Sequence, residues 1–411
     1  MTRPPALVLT PRIPWPPDDG GRVVAWQGLL AAAESHAVTL ISFAPPDETD
    51  STPPQELTDR AVRVIRVPFT PPSAVVAAWR GLFGRWPYSL ARYRSQAFDR
   101  AIRQEIARRR PVVAYVQNLH LATYVDALDG VPMVLREYNV EFLWMARYAR
   151  GAGASPRGVY AALQSARLRR AEAELCRRAA LVLAIQDEEA RVLRVMAPGV
   201  RVETLPVGVD LGAFPDPAPV SPPVVLLAAS FQWPPNVDGA LRFLREGWPR
   251  LRARVPAAVL RLAGKAPPRA LRDACTEAGV ELAADVPSMP AEYARATLLL
   301  VPIWVGAGAR VKIVEALAAR LPVVSTSIGA EGLDLEAGKH FAAAETAEAL
   351  AEAVAELLQD SAFRDSLAAE GRAVAEARWS LRVVAALQTR YLTAAAAAAA
   401  VAASGALESS G

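Results

Sequence analysis

Between Val301 and Leu333 the chain reads VPIWVGAGARVKIVEALAARLPVVSTSIGAEGL, the stretch best suited by residue type to hold a charged ligand. A short apolar run ends in Gly306, Ala307, Gly308 and Ala309, and a helical pattern starts near Arg310. Small residues let backbone approach a bound molecule closely, and the free amides of a helix start, at the positive end of its dipole, favour a phosphate. Taken alone, the bend is equally well explained as a tight turn. Helical spacing adds a second observation. At about 100° per residue, Val311, Val314, Glu315 and Ala318 share one apolar face, so Glu315 turns inward with the stripe that packs on a sheet. A carboxylate there needs donors, because burying it unpaired is costly. Two sources fit: the paired hydroxyls of a ribose, or a structural pair with Lys312 three residues away. Arg310 and Lys312 leave the helix on other faces, within reach of a pyrophosphate, and two cations at a helix start favour an anion between them.

Such a bend must be positioned by a strand before it and a helix after it, and the chain supplies that unit repeatedly. ALVLT (6–10), VTLISF (38–43), VRVIRV (62–67), VVAYV (112–116), MVLR (133–136), LVLAI (181–185) and VRVETL (200–205) read as strands separated by helix-like segments. The proline-dense PVGVDLGAFPDPAPVSPP at 206–223 reads as a linker. A second series follows: VVLLAA (224–229), AVLRLAG (258–264), VELAA (280–284), TLLLVPI (297–303) and PVVST (322–326). The spacing predicts an α/β protein of two Rossmann-like units, 1–205 and 224–378, a last helix at 379–393 and a low-complexity, fraying tail at 394–411. In open parallel sheets ligands bind beyond the carboxyl ends of the strands, so two such sheets facing each other would hold a ligand in a central cleft.

Composition narrows the function. The 411 residues are 52% apolar and 21% charged, enough to build large cores. Net charge is +4, and 43 of the 46 basic residues are arginine, without the runs expected of a nucleic-acid binder. Cys176 and Cys275 stand 99 positions apart with no metal-ligand spacing, which fits a reducing cytoplasm and neither a disulfide framework nor a zinc site. No apolar run approaches the roughly 20 residues that span a bilayer, and the start lacks a signal-peptide core.

The 301–333 stretch resembles the donor-nucleotide motif of the family-4 retaining glycosyltransferases of the GT-B class, whose bacterial members read roughly GxGxRxKxxEAxAxxxPVVSTxxGxEGL. The similarity extends through PRIPWPPDDGGR (11–22), LREYNVEFLW (135–144) and SFQWPPNVDGALRFL (230–244), covering nearly all of 5–380. The resemblance implies transfer of a hexose-type sugar from an NDP-sugar donor, UDP- or GDP-linked, to a saccharide, lipid-linked or small-molecule acceptor, with no cofactor and no metal. Carried over by position, it makes Glu315 the ribose-binding carboxylate and 306–309 a backbone contact for donor phosphates or sugar. Arg310 and Lys312 then carry the phosphate charge, Gly20 and Gly21 admit the pyrophosphate, and Ser230 faces the donor from a strand end. Glu137 and Asn139 fall on the acceptor side as catalytic candidates, with a solvated loop as the alternative. Asn236 either caps the next helix or touches ligand.

The chain departs from the family at Pro234 and Pro235, which occupy a stretch where basic residues are often found, and at three further positions. Ala307 stands where the wider family has a second glutamate, Gln117 where many members have histidine, and Tyr138 where the REHNVE segment has histidine. His120 is a candidate substitute, against a structural role at a helix start; His36 and His340 read as structural. Asp18 and Asp19 are adjacent rather than spaced as metal ligands and read as loop solvation. The aromatic and arginine-rich segment 77–100 reads as core packing, with an acceptor lip or peripheral membrane contact as the alternative. Other readings of the whole chain are a non-catalytic nucleotide or glycan binder and a sugar-nucleotide epimerase of the same fold.

Overall fold

The computed structural model describes residues 3–17, 19–45, 52–215, 220–305 and 310–408. Its contacts divide into two compact units: Met1–Pro206 with Val384–Gly411, and Val207–Val383.

In the first unit seven strands, β1 (Pro5–Thr10), β2 (Ala37–Ala44), β3 (Arg63–Pro68), β4 (Val113–Gln117), β5 (Met133–Arg136), β6 (Leu181–Ala184) and β7 (Val202–Thr204), form one sheet. Their order is β3-β2-β1-β4-β5-β6-β7, with every pairing parallel. Parallel strands covered on both faces need apolar residues at consecutive positions. Leu7 and Leu9 accordingly pack into one core with Ala114 and Val116, while Ala6 and Val8 pack into the other with Val113 and Tyr115.

The second unit repeats the scheme with β8 (Val224–Ser230), β9 (Val259–Lys265), β10 (Glu281–Ala284), β11 (Leu298–Val301), β12 (Val323–Ser325) and β13 (Ala342–Ala343). Their order is β10-β9-β8-β11-β12-β13, again parallel throughout. All twelve strands expected from the sequence are present, and β13 is an addition, two residues being too short to register as an apolar run.

The C-terminal segment departs from expectation. The helix runs over Leu381–Glu408, so the alanine-rich stretch from 394 is helical to 408 rather than a frayed tail, in keeping with alanine's high helix propensity. Val384, Tyr391, Leu392 and Ala395 of this helix are buried with Ala6, Val8 and Leu29 in a core of the first unit. Gln388 is buried there too, its amide donating to the Gly28 carbonyl at 2.7 Å while its oxygen accepts from the Tyr115 hydroxyl at 3.3 Å. The final helix is thus part of the first unit.

Candidate functional site

In the second sheet β8 and β11 are neighbours, and the chain leaves them in opposite directions, toward β9 and toward β12. Such a switch of direction opens a crevice beyond the strand ends, here after Ser230 and Val301. The bend itself, Gly306, Ala307, Gly308 and Ala309, lies outside the described residues. The helix after it spans Val311–Ala318. Ile313, Val314, Ala316, Leu317 and Ala318 are all buried, a wider buried surface than a single stripe, whereas Val311 is exposed.

Glu315 is half-buried on this helix, and its Oε2 accepts from the Tyr293 hydroxyl at 2.9 Å. Among the described residues no donor reaches its other oxygen. Burial raises the Glu315 carboxyl above its ordinary pKa, and the Tyr293 hydroxyl and Lys312 charge only partly offset this. Lys312 does not pair with it directly: its ammonium donates to Asn236 Oδ1 at 2.8 Å. Burial first, and the Arg310 charge second, bring the Lys312 pKa down to about 7. Asn236 is buried, and its amide donates to the Ser230 carbonyl at 2.7 Å. It therefore ties the end of β8 to Lys312 and is not a helix cap: its helix, Pro234–Arg242, begins after Trp233 with no side-chain cap bond. Ser230 is exposed at the strand end, as expected.

Arg310 differs from expectation. It is only 4% exposed, its guanidinium donates to the Ile328 carbonyl at 2.7 Å, and Glu331 lies 3.7 Å away. Arg310 therefore holds the 326–331 turn against the helix start rather than reaching outward. Tyr293 was missed by sequence reasoning. It sits in the short helix Met289–Ala294, and no local spacing links it to an acid 22 positions later.

The first unit has its own switch point between β1 and β4. Beyond these strand ends lies a cavity of about 180 Å³, lined among others by Arg12, Gly21, Tyr93, Asn118, His120 and Tyr138. A Cβ at Gly21 would come within 3.2 Å of the Arg12 guanidinium, whereas one at Gly20 would meet nothing within 4 Å, so only the second glycine of the pair shapes the cavity. Asp18 lies outside the described residues. Asp19 does more than solvate a loop: it caps the helix Gly20–Ser35, accepting from the Arg22 amide at 3.0 Å, and pairs with Arg12. Burial works to raise its pKa, but the Arg22 amide and the Arg12 charge outweigh it and leave the carboxyl below its ordinary value.

His120 is half-buried, its Nδ1 hydrogen-bonded to Asn118 Oδ1. A carbonyl oxygen only accepts, so Nδ1 carries the proton and Nε2 is left as an acceptor. Burial and then the Arg92 charge lower the imidazole pKa to about 4, which keeps the ring neutral at physiological pH. The Tyr138 hydroxyl donates to Gln117 Oε1 at 3.3 Å, and Gln117 Nε2 donates to the Ala25 carbonyl at 3.0 Å. A Cβ at Gly28 would lie 2.7 Å from Gln117 Oε1, so that glycine makes room for the glutamine.

Glu137 departs from expectation, being enclosed rather than facing an acceptor or solvent. It is 1% exposed, its Oε1 lies 4.0 Å from the Cys176 thiol, and its Oε2 has no hydrogen-bond partner among the described residues. It sits neither in a solvated loop nor on the cavity lining. Burial raises its carboxyl well above the ordinary pKa, reinforced by Glu172, Glu141 and Glu189. Glu172 accepts from the amides of Glu141 and Phe142 at 3.0 and 3.1 Å, at the start of the helix Glu141–Ala152. Asn139 is exposed on the bend before that helix.

Residues 222–360, most of the second unit, match the family model of the group 1 glycosyl transferases. No match emerges among curated proteins. Solved structures resemble the chain along its length. Sucrose-phosphate synthase from Thermosynechococcus elongatus has a TM-score of 0.70 at 17% identity, over 96% of this chain and 100% of that one. HepE from Anabaena, in complex with UDP and glucose, has a TM-score of 0.65 at 14% identity, over 95% and 100%. WaaG, a glycosyltransferase involved in lipopolysaccharide biosynthesis, has a TM-score of 0.60 at 15% identity, over 93% and 98%. The fold is that of the GT-B glycosyltransferases, two parallel-sheet α/β units, and the second unit carries the group 1 signature.

Proposed function

We propose that this chain transfers a hexose-type sugar from an NDP-sugar, UDP- or GDP-linked, to a hydroxyl of a saccharide, lipid-linked or small-molecule acceptor, with retention of anomeric configuration and without a metal ion. The observation that carries the reading is Glu315: a half-buried carboxylate beyond the switch point, with Tyr293 on one oxygen and no protein donor on the other among the described residues. Ribose hydroxyls supply the missing donors, and charge-assisted bonds of this kind are strong in a partly desolvated site. Lys312, directed by Asn236, meets the diphosphate and stabilises the charge that develops as it departs. Binding an anion there favours the protonated lysine, opposing the burial that lowers its pKa. The backbone at 306–309 contributes amides to the same phosphates or to the donor sugar. Arg310 supports this arrangement by fixing the turn at Ile328.

The acceptor is assigned to the first unit's cavity, where neutral His120 presents Nε2 to a hydroxyl and Gly21 leaves space beside Arg12. Asn139, exposed nearby in sequence, is a further contact, whereas enclosed Glu137 acts through packing. The proton lost by the acceptor hydroxyl goes to the departing phosphate oxygen, so the step requires no enzymatic base. The two cysteines are free and buried, which fits a cytoplasmic setting.

Incubation with a panel of UDP-, GDP-, ADP- and dTDP-sugars tests the reading. Transfer or slow hydrolysis of one donor, with the α or β configuration retained, is the expected result. An epimerised nucleotide sugar would replace the reading by an epimerase, and binding without turnover across donors and acceptors by a nucleotide-binding protein.

A further inference from the structure

Two stretches of the first unit, 74–94 and 142–170, hold ten arginines and not one aspartate or glutamate. The whole chain has net charge +4, so everything outside these stretches sums to −6 (4 minus 10). The stretches fold chiefly into the helices Ala74–Phe83, Glu141–Ala152 and the first part of Pro156–Arg177. The last of these helices joins the other two. The Tyr160 hydroxyl donates to the Ala78 carbonyl at 3.2 Å and Gln164 to the Gly81 carbonyl at 3.1 Å, while Ser165 donates to the Phe142 carbonyl at 3.0 Å.

This assembly turns large rings to solvent. Trp79 and Phe83 are 64% and 70% exposed, and Trp144 and Tyr148 are 59% and 50% exposed. Trp79 and Phe83 lie tilted against each other with centroids 4.9 Å apart, and Trp144 and Tyr148 stack with centroids 6.1 Å apart. Exposed arginines, Arg80 on one helix and Arg147 and Arg150 on the other, lie between and beside them. The aromatic segment 77–100 thus divides in two: Trp86 and Tyr93 pack on the core as expected, whereas Trp79 and Phe83 do not.

We propose that this face docks on an anionic lipid bilayer. Indole and phenol rings are suited to headgroup depth, and guanidinium groups bind lipid phosphates bidentately. Glu174, paired with Arg85 at 2.8 Å, borders this surface, but the two stretches themselves carry no acid for a negative leaflet to repel, and complementarity of that kind strengthens with each cation near the surface. The rings are exposed on two helices beside exposed arginines, which suits a deformable surface better than a fitted protein groove. Among the described residues no helix is long and apolar enough to cross a membrane, so the contact is peripheral. None of this depends on the transferase reading.

The full chain, sedimented with vesicles of phosphatidylcholine containing one third phosphatidylglycerol, should bind, with binding falling as salt rises. It should bind pure phosphatidylcholine vesicles weakly. The double variants Trp144→Ala/Tyr148→Ala and Arg147→Glu/Arg150→Glu should each lower partitioning by about tenfold or more. Arg250→Glu/Arg252→Glu, which makes the same charge change on the second unit, should leave it near wild type. Thermal unfolding establishes that each variant is folded. Absence of binding to anionic vesicles at low salt would overturn the proposal, as would an equal loss in the Arg250/Arg252 control. So would self-association of the wild type that Trp144→Ala/Tyr148→Ala abolishes, because a second copy would then cover the face.

Discussion

Beside the ends of the first sheet's strands, Glu137, Glu141, Glu172 and Glu189 crowd together, and burial raises all four carboxyl pKa values, Glu172 to about 8 and Glu141 and Glu189 to about 7. Beyond the second sheet one carboxylate, Glu315, has a tyrosine as its partner and a lysine whose own pKa is lowered to about 7. The first group holds protons that an unfolded chain would release above about 4.5, so its contribution to stability is present below that pH and is lost as pH rises through 7 to 8. Lys312 behaves oppositely: between about 7 and 10.5 the unfolded chain binds the extra proton, so stability rises with pH across that window. The comparison shows two uses of buried acid. In the first region neutral carboxyls cost little, and one of them, Glu172, serves as a helix cap. In the second region acid and base are kept apart by separate partners, which leaves each able to meet a ligand.

The largest expected effect falls on the second region. Glu315→Ala should weaken nucleotide affinity by about 1–3 kcal/mol, the size of a lost charge-assisted hydrogen-bond pair. Unchanged calorimetric affinity in a folded variant would break the assignment and make Glu315 as structural as Glu172. Next, Lys312→Met should weaken a nucleoside diphosphate by about 1–2 kcal/mol while nearly sparing the nucleoside. Wild-type affinity for the diphosphate should decline as pH rises above 7 and the ammonium is lost, and the variant should lack that slope. Equal losses for the two ligands would mean that the lysine does not touch phosphate.

The smallest effect belongs to the first region. Glu137→Gln should raise the denaturant midpoint at pH 8, by about 1 kcal/mol in stability, with the gain shrinking toward pH 5, where the native carboxyl is already neutral. A loss of stability at pH 8 would show that the Glu137 carboxylate is net favourable there and would erase the contrast between the regions.

Much of the fold was legible because parallel strands buried on both faces are written as unbroken apolar runs, as in LVLA at β6 and LLLV at β11. The helix bearing Glu315 was legible from its periodicity and from the motif around it. Three features were not. The alanine-rich end gives no sign of which core its Tyr391 and Leu392 enter, because docking is a long-range choice. Glu137 follows a strand just as a ligand contact would, and only the packing of the helix Pro156–Arg177, which carries Cys176 and Glu172, encloses it. Asn236 lies near a helix start, where a cap would be expected, yet its partners are Ser230 and Lys312.

The sequence by itself determined two alternating α/β series and the placement of an acid, a lysine and an arginine around one helix start, since apolar periodicity and motif spacing act over a few residues. Only the tertiary structure decided the partners: Tyr293 for Glu315 from 22 positions away, Asn236 for Lys312 from 76, and the Ile328 carbonyl for Arg310. A buried polar group takes whichever donor or acceptor the folded chain brings within hydrogen-bond distance, and contacts so far apart along the chain leave no periodic mark in it.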